Sequence, residues 1–209
     1  MLLKEIHDKK REEIEARLQH FSKVYLLPDE EIFGELCFCL FTPQSKAKSC
    51  WRAIEKLKET GSLYNGDQQE IKKWMAAVRF NENKSKYVIE ARRLFTNNGK
   101  IKVKEKLERF NTTPQMRSWL LENVKGYGMK EASHFLRNIG FGDDIAILDR
   151  HILKNMVRHG VISEIPKSIT EKKYLEMEAK LRKFSRDVGI PMAHLDLLWW
   201  SEEAGEIFK

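Results

Sequence analysis

Apolar residues recur at helical spacing along almost the whole chain, and strand-like alternation is scarce. Residues 3–26 carry a charged amphipathic pattern that ends before Pro28. Asp29 is placed to cap a second helix, which runs through the apolar segment GELCFCLF to Phe41. A break at Thr42-Pro43 precedes a third stretch, SKAKSCWRAIEKLKET, which Gly61 ends. DQQEIKKWMAAV and KSKYVIEARRLF predict two more helices, the second stopped by Asn97-Asn98-Gly99. Thr112-Thr113-Pro114 joins a cap to an early proline, a good helix start. Further helices are predicted over 114–123, 129–139, 150–159, 170–187 and 191–206. The expected fold class is all-α, with roughly ten short helices. There is no internal repeat, low-complexity segment or long linker.

Composition narrows the setting. A chain of 209 residues suffices for one large domain or two small ones, and its 42% hydrophobic content supports a packed core. The formal net charge of +7 suits a polyanionic partner, and equally a merely basic surface. No apolar run approaches the ~20 residues that span a bilayer. The N-terminal MLLKEIHDKKREEIEARL mixes acids and bases, unlike a secretory signal, so an intracellular protein is expected. Cys37 and Cys39 lie in an apolar run, and with Cys50 they read as buried small hydrophobes in a reducing compartment. Zinc would require CxxC pairs or clustered histidines, and neither pattern is present.

The chemistry-bearing stretch is VKGYGMKEAS, residues 124–133. Gly126 and Gly128 separate two helical patterns, and glycine permits positive φ and close backbone approach. The amides of such a turn, with those opening the next helix, can point at a phosphate. The spacing is neither a dinucleotide fingerprint, since Glu131 replaces the third glycine, nor a P-loop. Lys130 falls in the first turn of the following helix, where a cation opposes the macrodipole by a few tenths to ~1 kcal/mol. Either it is a solvated lysine, or the dipole and partial burial favour the neutral amine and make it a nucleophile.

Asp149 follows nineteen residues later. A helix from Lys130 to Ile139 rises ~15 Å. An extended IAILD returns roughly 16 Å. The chain thus comes back level with Lys130, which permits an amine–carboxylate pair. Asp149 also precedes the helical RHILKNMVRHG and can serve as its N-cap; the two roles can coexist.

The segment VKGYGMKEASHFLRNIGFGDDIAILDRHIL resembles the helix-hairpin-helix and Gly/Pro…Asp motif of DNA glycosylases. The family hairpin reads LPGVGxKxA; here Lys125 replaces the proline and Tyr127 the aliphatic residue. FTPQSKA resembles the family's LSxQxxD-like segment, without its downstream acidic position, and VRFNENKSKYVIEAR resembles a helical region of the same enzymes. Overall the chain is most similar to the compact second type of 8-oxoguanine DNA glycosylase/AP lyase. Iron–sulfur members carry four C-terminal cysteines, whereas none follows Cys50 here, so no such cluster is expected.

The resemblance implies two helical subdomains flanking a DNA-binding cleft. Residues 32–145 would form a helical barrel with the hairpin, and residues 1–31 with 146–209 the second subdomain. It implies Lys130 as the nucleophile and Asp149 as its carboxylate partner. Gln44, Gly126, Gly128 and His151 would contact DNA. Phe80, Trp199, Trp200 and the terminal Lys209 would recognise the flipped base, with Trp200 favoured over Trp199 as the stacking wall. The chemistry needs no cofactor, but backbone carbonyls of Glu122, Val124 and Tyr127 could hold a structural K⁺ or Na⁺. The implied partner is double-stranded DNA containing 8-oxoguanine, bound by a monomer with no membrane involvement. Removal of another damaged base, such as an oxidised pyrimidine, and a non-catalytic DNA-gripping module are the alternatives. Each residue also has a plainer role: a polar helix start for Gln44, core packing for the tryptophans, a tail residue for Lys209.

Overall fold

The computed structural model describes residues 2–205 together with 207 and 208. Among these residues twelve α-helices and one small hairpin follow in order. They are α1 (Leu2–Val24), α2 (Asp29–Phe41), α3 (Ala47–Glu59), α4 (Ser62–Asn65), α5 (Gln68–Lys73), α6 (Asn81–Phe95), β1 (Thr96–Asn97), β2 (Lys100–Ile101), α7 (Val103–Leu107), α8 (Thr113–Asn123), α9 (Met129–Asn138), α10 (Arg150–Arg158), α11 (Glu171–Val188) and α12 (Met192–Ala204). The all-α expectation holds. Asp29 does not cap α2: Pro28 is the N-cap, Asp29 is the first helical residue, and its Oδ1 accepts the Lys104 amide at 2.8 Å instead. Two further details differ for local reasons. The apolar spacing Ile71, Met75, Val78 predicts one helix over 67–78. All three side chains are buried, but the capping box at Asp67 and Glu70 opens a helix of only six residues, and turns carry Met75 and Val78 inward. Asn98 and Gly99 do end α6's run, but they do so as the tip of a hairpin. Both have positive φ, as a two-residue turn between β1 and β2 requires.

The chain divides into two compact units, 24–135 and 1–23 with 136–209. The cuts fall at 23/24 and 135/136 rather than at the expected 31/32 and 145/146. The first coincides with the end of α1, and the second lies inside α9.

In the unit of residues 24–135, α2 is the central element. Every residue from Ile32 to Phe41 is buried, as a helix apolar on all sides must be. Phe33 meets Phe95 edge-on at 6.5 Å, and Phe38 meets Trp51 at 5.6 Å. Cys37, Cys39 and Cys50 are buried free thiols. Burial pushes the Cys50 thiol up to about 11, which makes it inert packing at neutral pH.

In the unit formed by the two chain ends, Ile14 and Phe21 of α1 pack with Leu197 and Leu198 of α12 and with Ile207. His7 and His194 join the same two helices through a 2.9 Å contact between Nε2 and Nδ1. Glu35 and Glu178 are the only carboxylates at 4% exposure or less among the described residues.

Candidate active site

The hairpin is built by α8, the turn 124–128 and α9. Thr112 caps α8, with its hydroxyl accepting from the Gln115 amide. Val124 closes α8, and its carbonyl accepts the Tyr127 amide at 3.1 Å. Gly126 has φ +91°, where a side chain is strained; its missing Cβ would also lie 2.5 Å from Tyr87 Cδ2. Tyr127 turns inward. Its hydroxyl donates to the Leu36 carbonyl of α2 at 2.9 Å, which ties the hairpin to the central helix. This inward hydroxyl bond accounts for tyrosine where the family pattern carries an aliphatic residue.

Gly128 does not need positive φ, and an added Cβ would meet only Glu131 Oε2 at 3.1 Å. Its amide donates to that same oxygen at 3.1 Å, the half of a capping box in which a carboxylate in the first turn accepts from the amide before the helix. The other oxygen of Glu131 lies 2.9 Å from Lys130 Nζ. The Lys130 side chain is 25% exposed, and its amine sits against a carboxylate at the opening of α9. A phosphate would take the Gly128 amide only by displacing Glu131.

Gln44 and Phe80 belong to the same unit. Both are exposed, and both have positive φ, 57° and 59°. Non-glycine residues in that region cost about 1–2 kcal/mol each and cluster at functional sites. Phe80 is 55% exposed, with the Arg79 guanidinium 5.8 Å from its ring centre. A large aromatic held outward on strained backbone suits contact with a base.

Asp149 lies in the other unit, at the start of α10. Its Oδ1 accepts from the His151 and Ile152 amides, both at 2.8 Å, so the N-cap role is real and leaves Oδ2 outside those two bonds. The segment delivering it, Ile145–Leu148, is buried and is neither helix nor strand, so no sheet ladder serves its backbone. Buried backbone of this kind must find partners elsewhere. They come from one face of α11. Glu178 accepts the Ala146 amide at 2.8 Å, and the Tyr174 hydroxyl accepts the Leu148 amide at 3.1 Å while donating to the Ala146 carbonyl at 2.6 Å. Arg182 donates to the Asp144 carbonyl and lies 3.5 Å from Glu178. Tyr174, Glu178 and Arg182 recur every four residues, so one stripe of α11 fixes the approach to Asp149.

His151 is half-buried, and its Nδ1 lies 3.3 Å from Glu203 Oε2. Asp196 of α12 is 13% exposed and lies 3.6 Å from Arg137 Nη2. Burial pushes its carboxyl up to about 6; Arg137 opposes that shift, and the Asp149 charge adds to it. Trp199 is wholly buried, stacked on His159 at 5.3 Å and beside Phe184. That corrects its candidacy for base recognition, because no ring face is accessible. Trp200 is partly exposed. Lys209 lies outside the described residues. Thus Lys130, the hairpin residues, Gln44 and Phe80 fall in one unit, and Asp149, His151, Trp199 and Trp200 in the other.

Sequence reasoning missed Lys84, which occupies the buried stripe 84, 88, 91 and 95 of α6. A lysine at an apolar helical position was the available signal. Burial pulls its ammonium down to about 8.

A helix-hairpin-helix in an all-α frame, with a lysine at the mouth of its second helix, defines a class of DNA-binding proteins with a potential amine nucleophile. Comparison with known proteins makes the assignment. The model of the family described as 8-oxoguanine DNA glycosylase matches residues 14–190, and the chain belongs to that family. An 8-oxoguanine DNA glycosylase/AP lyase of Fusobacterium nucleatum is 45% identical over 99% of this chain and 96% of its own length. One from Methanocaldococcus jannaschii is 37% identical over the full length of both. The crystal structure of the M. jannaschii 8-oxoguanine glycosylase/lyase in complex with a 15mer DNA containing 8-oxoguanine matches with a TM-score of 0.88 at 32% identity, covering all of both chains. No helix among the described residues is long and apolar enough to cross a membrane.

Proposed function

We propose that the protein is a bifunctional enzyme of DNA base excision repair, acting on 8-oxoguanine through a Schiff base at Lys130. The observation that carries the reading is the partly exposed Lys130 side chain at the opening of α9, directly after the strained Gly126 turn, in a chain of this family. A base inside a duplex is out of reach, so it must first be turned out of the stack. The neutral amine then attacks the sugar C1′. The bond from C1′ to the base breaks, and the base leaves with a proton. The sugar ring opens to an imine between Lys130 and C1′. The imine acidifies the C2′ proton; its removal expels the 3′ phosphate by β-elimination, and water finally hydrolyses the imine.

Asp149 acts as the carboxylate that accepts the amine proton and balances positive charge developing on the sugar. Its cap bonds use Oδ1, which leaves Oδ2 for that work. Glu131 must release Lys130 before attack. Amides of the hairpin grip the phosphate strand without reading sequence, and His151 adds a contact if Glu203 yields it. Gln44 enters the opened duplex, while Phe80 and Trp200, with Lys209, bound the flipped base. The carbonyls of Glu122 and Val124, at the end of α8, and of Tyr127 would supply the oxygen donors that a hard monovalent cation takes. Such an ion would support the phosphate grip; no step of the chemistry uses it. The enzyme acts as an intracellular monomer on double-stranded DNA.

Borohydride reduction during turnover tests this reading. A covalent adduct is expected on 8-oxoguanine duplex and is lost in Lys130→Gln. Sound DNA binding without any adduct would identify a gripping module instead, and stronger trapping on a thymine glycol duplex would favour an oxidised-pyrimidine enzyme.

A further inference from the structure

Lys84 is 5% exposed, and its acceptors are neutral. Its ammonium donates to the Phe41 carbonyl at 2.7 Å, the Pro43 carbonyl at 2.7 Å and the Ser45 hydroxyl at 3.4 Å. Phe41 is the last residue of α2, so the cation also sits at the negative end of that helix. The bonds to Pro43 and Ser45 bracket Gln44, the exposed residue at φ 57°. Ser45 carries the connection onward, since its hydroxyl accepts the Arg79 amide at 2.9 Å, immediately before Phe80. Lys84 closes the loop through its own backbone, whose amide donates to the Phe80 carbonyl at 3.0 Å. One residue therefore holds both strained turns, from its side chain at Gln44 and from its main chain at Phe80. Strained backbone persists only where its surroundings over-determine it, and these bonds supply that determination.

We propose that Lys84 is a positioning residue which, with Ser45 as the link, locks the Gln44 and Phe80 turns into one rigid two-pronged probe of the opened duplex. The proposal rests on Gln44 and Phe80 being DNA-contacting residues of the function proposed above. Loss of the lock lets the prongs drift, and displacements near 1 Å cost on the order of 100-fold in positioned reactions. The damaged base must be found and held before it is cut, so excision depends on the lock. A pre-formed abasic site has no base to hold, so the Lys130 amine reaches its sugar without it.

The test compares two reactions in Lys84→Met and Ser45→Ala: single-turnover release of 8-oxoguanine from a duplex, and borohydride trapping on a duplex with a pre-formed abasic site. Thermal unfolding gives the folded fraction of each. Excision per folded molecule is expected to fall about tenfold or more, with abasic-site trapping within about threefold of the parent. Ser45→Ala removes only a hydroxyl and keeps the test decisive if Lys84→Met does not fold. Equal losses in both reactions, or no loss in Ser45→Ala, would overturn the proposal. A parent protein that neither excises nor traps would instead sink the functional reading, which separates the two failures.

Discussion

Replacing Tyr174 by phenylalanine removes one oxygen atom from the core and leaves the ring. That oxygen makes two bonds, accepting from the Leu148 amide and donating to the Ala146 carbonyl. Ala146, Leu148 and Tyr174 are all 4% exposed or less, so water does not readily replace the lost partner. A buried polar group deprived of its partner costs about 1–3 kcal/mol. Two such groups give an expected loss of about 2–6 kcal/mol, a large part of the ~5–15 kcal/mol typical of a domain. Urea unfolding of Tyr174→Phe measures it, with Tyr64→Phe as control; that hydroxyl makes a single 3.3 Å bond to the Glu30 carbonyl at the surface, and its loss should cost under about 1 kcal/mol. The loosened segment carries Asp149, so 8-oxoguanine excision per folded molecule should fall as well. A Tyr174→Phe protein as stable as the control, with undiminished excision, would refute the idea that α11 sets the position of Asp149.

Gly126→Ala combines left-handed strain of about 1–2 kcal/mol with a 2.5 Å clash on Tyr87, so lower stability and weaker DNA binding are expected together. Gly128→Ala meets neither obstacle and should fold normally; if DNA backbone approaches there, its affinity alone should drop in a filter-binding titration. Asp149→Asn keeps a cap of equal quality and should lose excision at near-parental stability, whereas Asp149→Ala should lose about 1 kcal/mol besides, both read by unfolding and trapping. Asp196 is held above its ordinary value of 3.8, at about 6, so the folded form binds the extra proton between those values. Its contribution to stability is present below pH 4 and is lost as pH rises through 6, by on the order of 3 kcal/mol, and the pH dependence of the difference from Asp196→Asn should show that sign.

The sequence was most informative where local chemistry decides the outcome. The apolar GELCFCLF run reads as a buried central helix, and Asp149 as an N-cap, because both depend on neighbours in sequence. The two glycines of the hairpin looked alike in the chain, yet only Gly126 carries the strain; the turn bond between Val124 and Tyr127 decides that. Trp199 and Trp200 are adjacent aromatics that only the family resemblance ranks, in favour of Trp200, and helical rotation puts Trp199 into the core beside His159 and Phe184. The Tyr174–Glu178–Arg182 stripe was hidden because its partners are backbone groups of a distant, irregular segment. The spacing of four is visible in the chain, but nothing in it points to those partners. Lys84 did leave a trace, a cation on a buried helical stripe, whose meaning depends on carbonyls some forty residues away in sequence.

The central claim is that the amine of Lys130 becomes bonded to the sugar. Borohydride trapping on an 8-oxoguanine duplex, followed by nuclease digestion and peptide mass mapping, locates that bond. The account predicts a sugar remnant on the peptide containing Lys130, and on no other amine. A remnant on Lys84, Lys125 or the N-terminal amine, or an adduct that survives in Lys130→Gln, would contradict it.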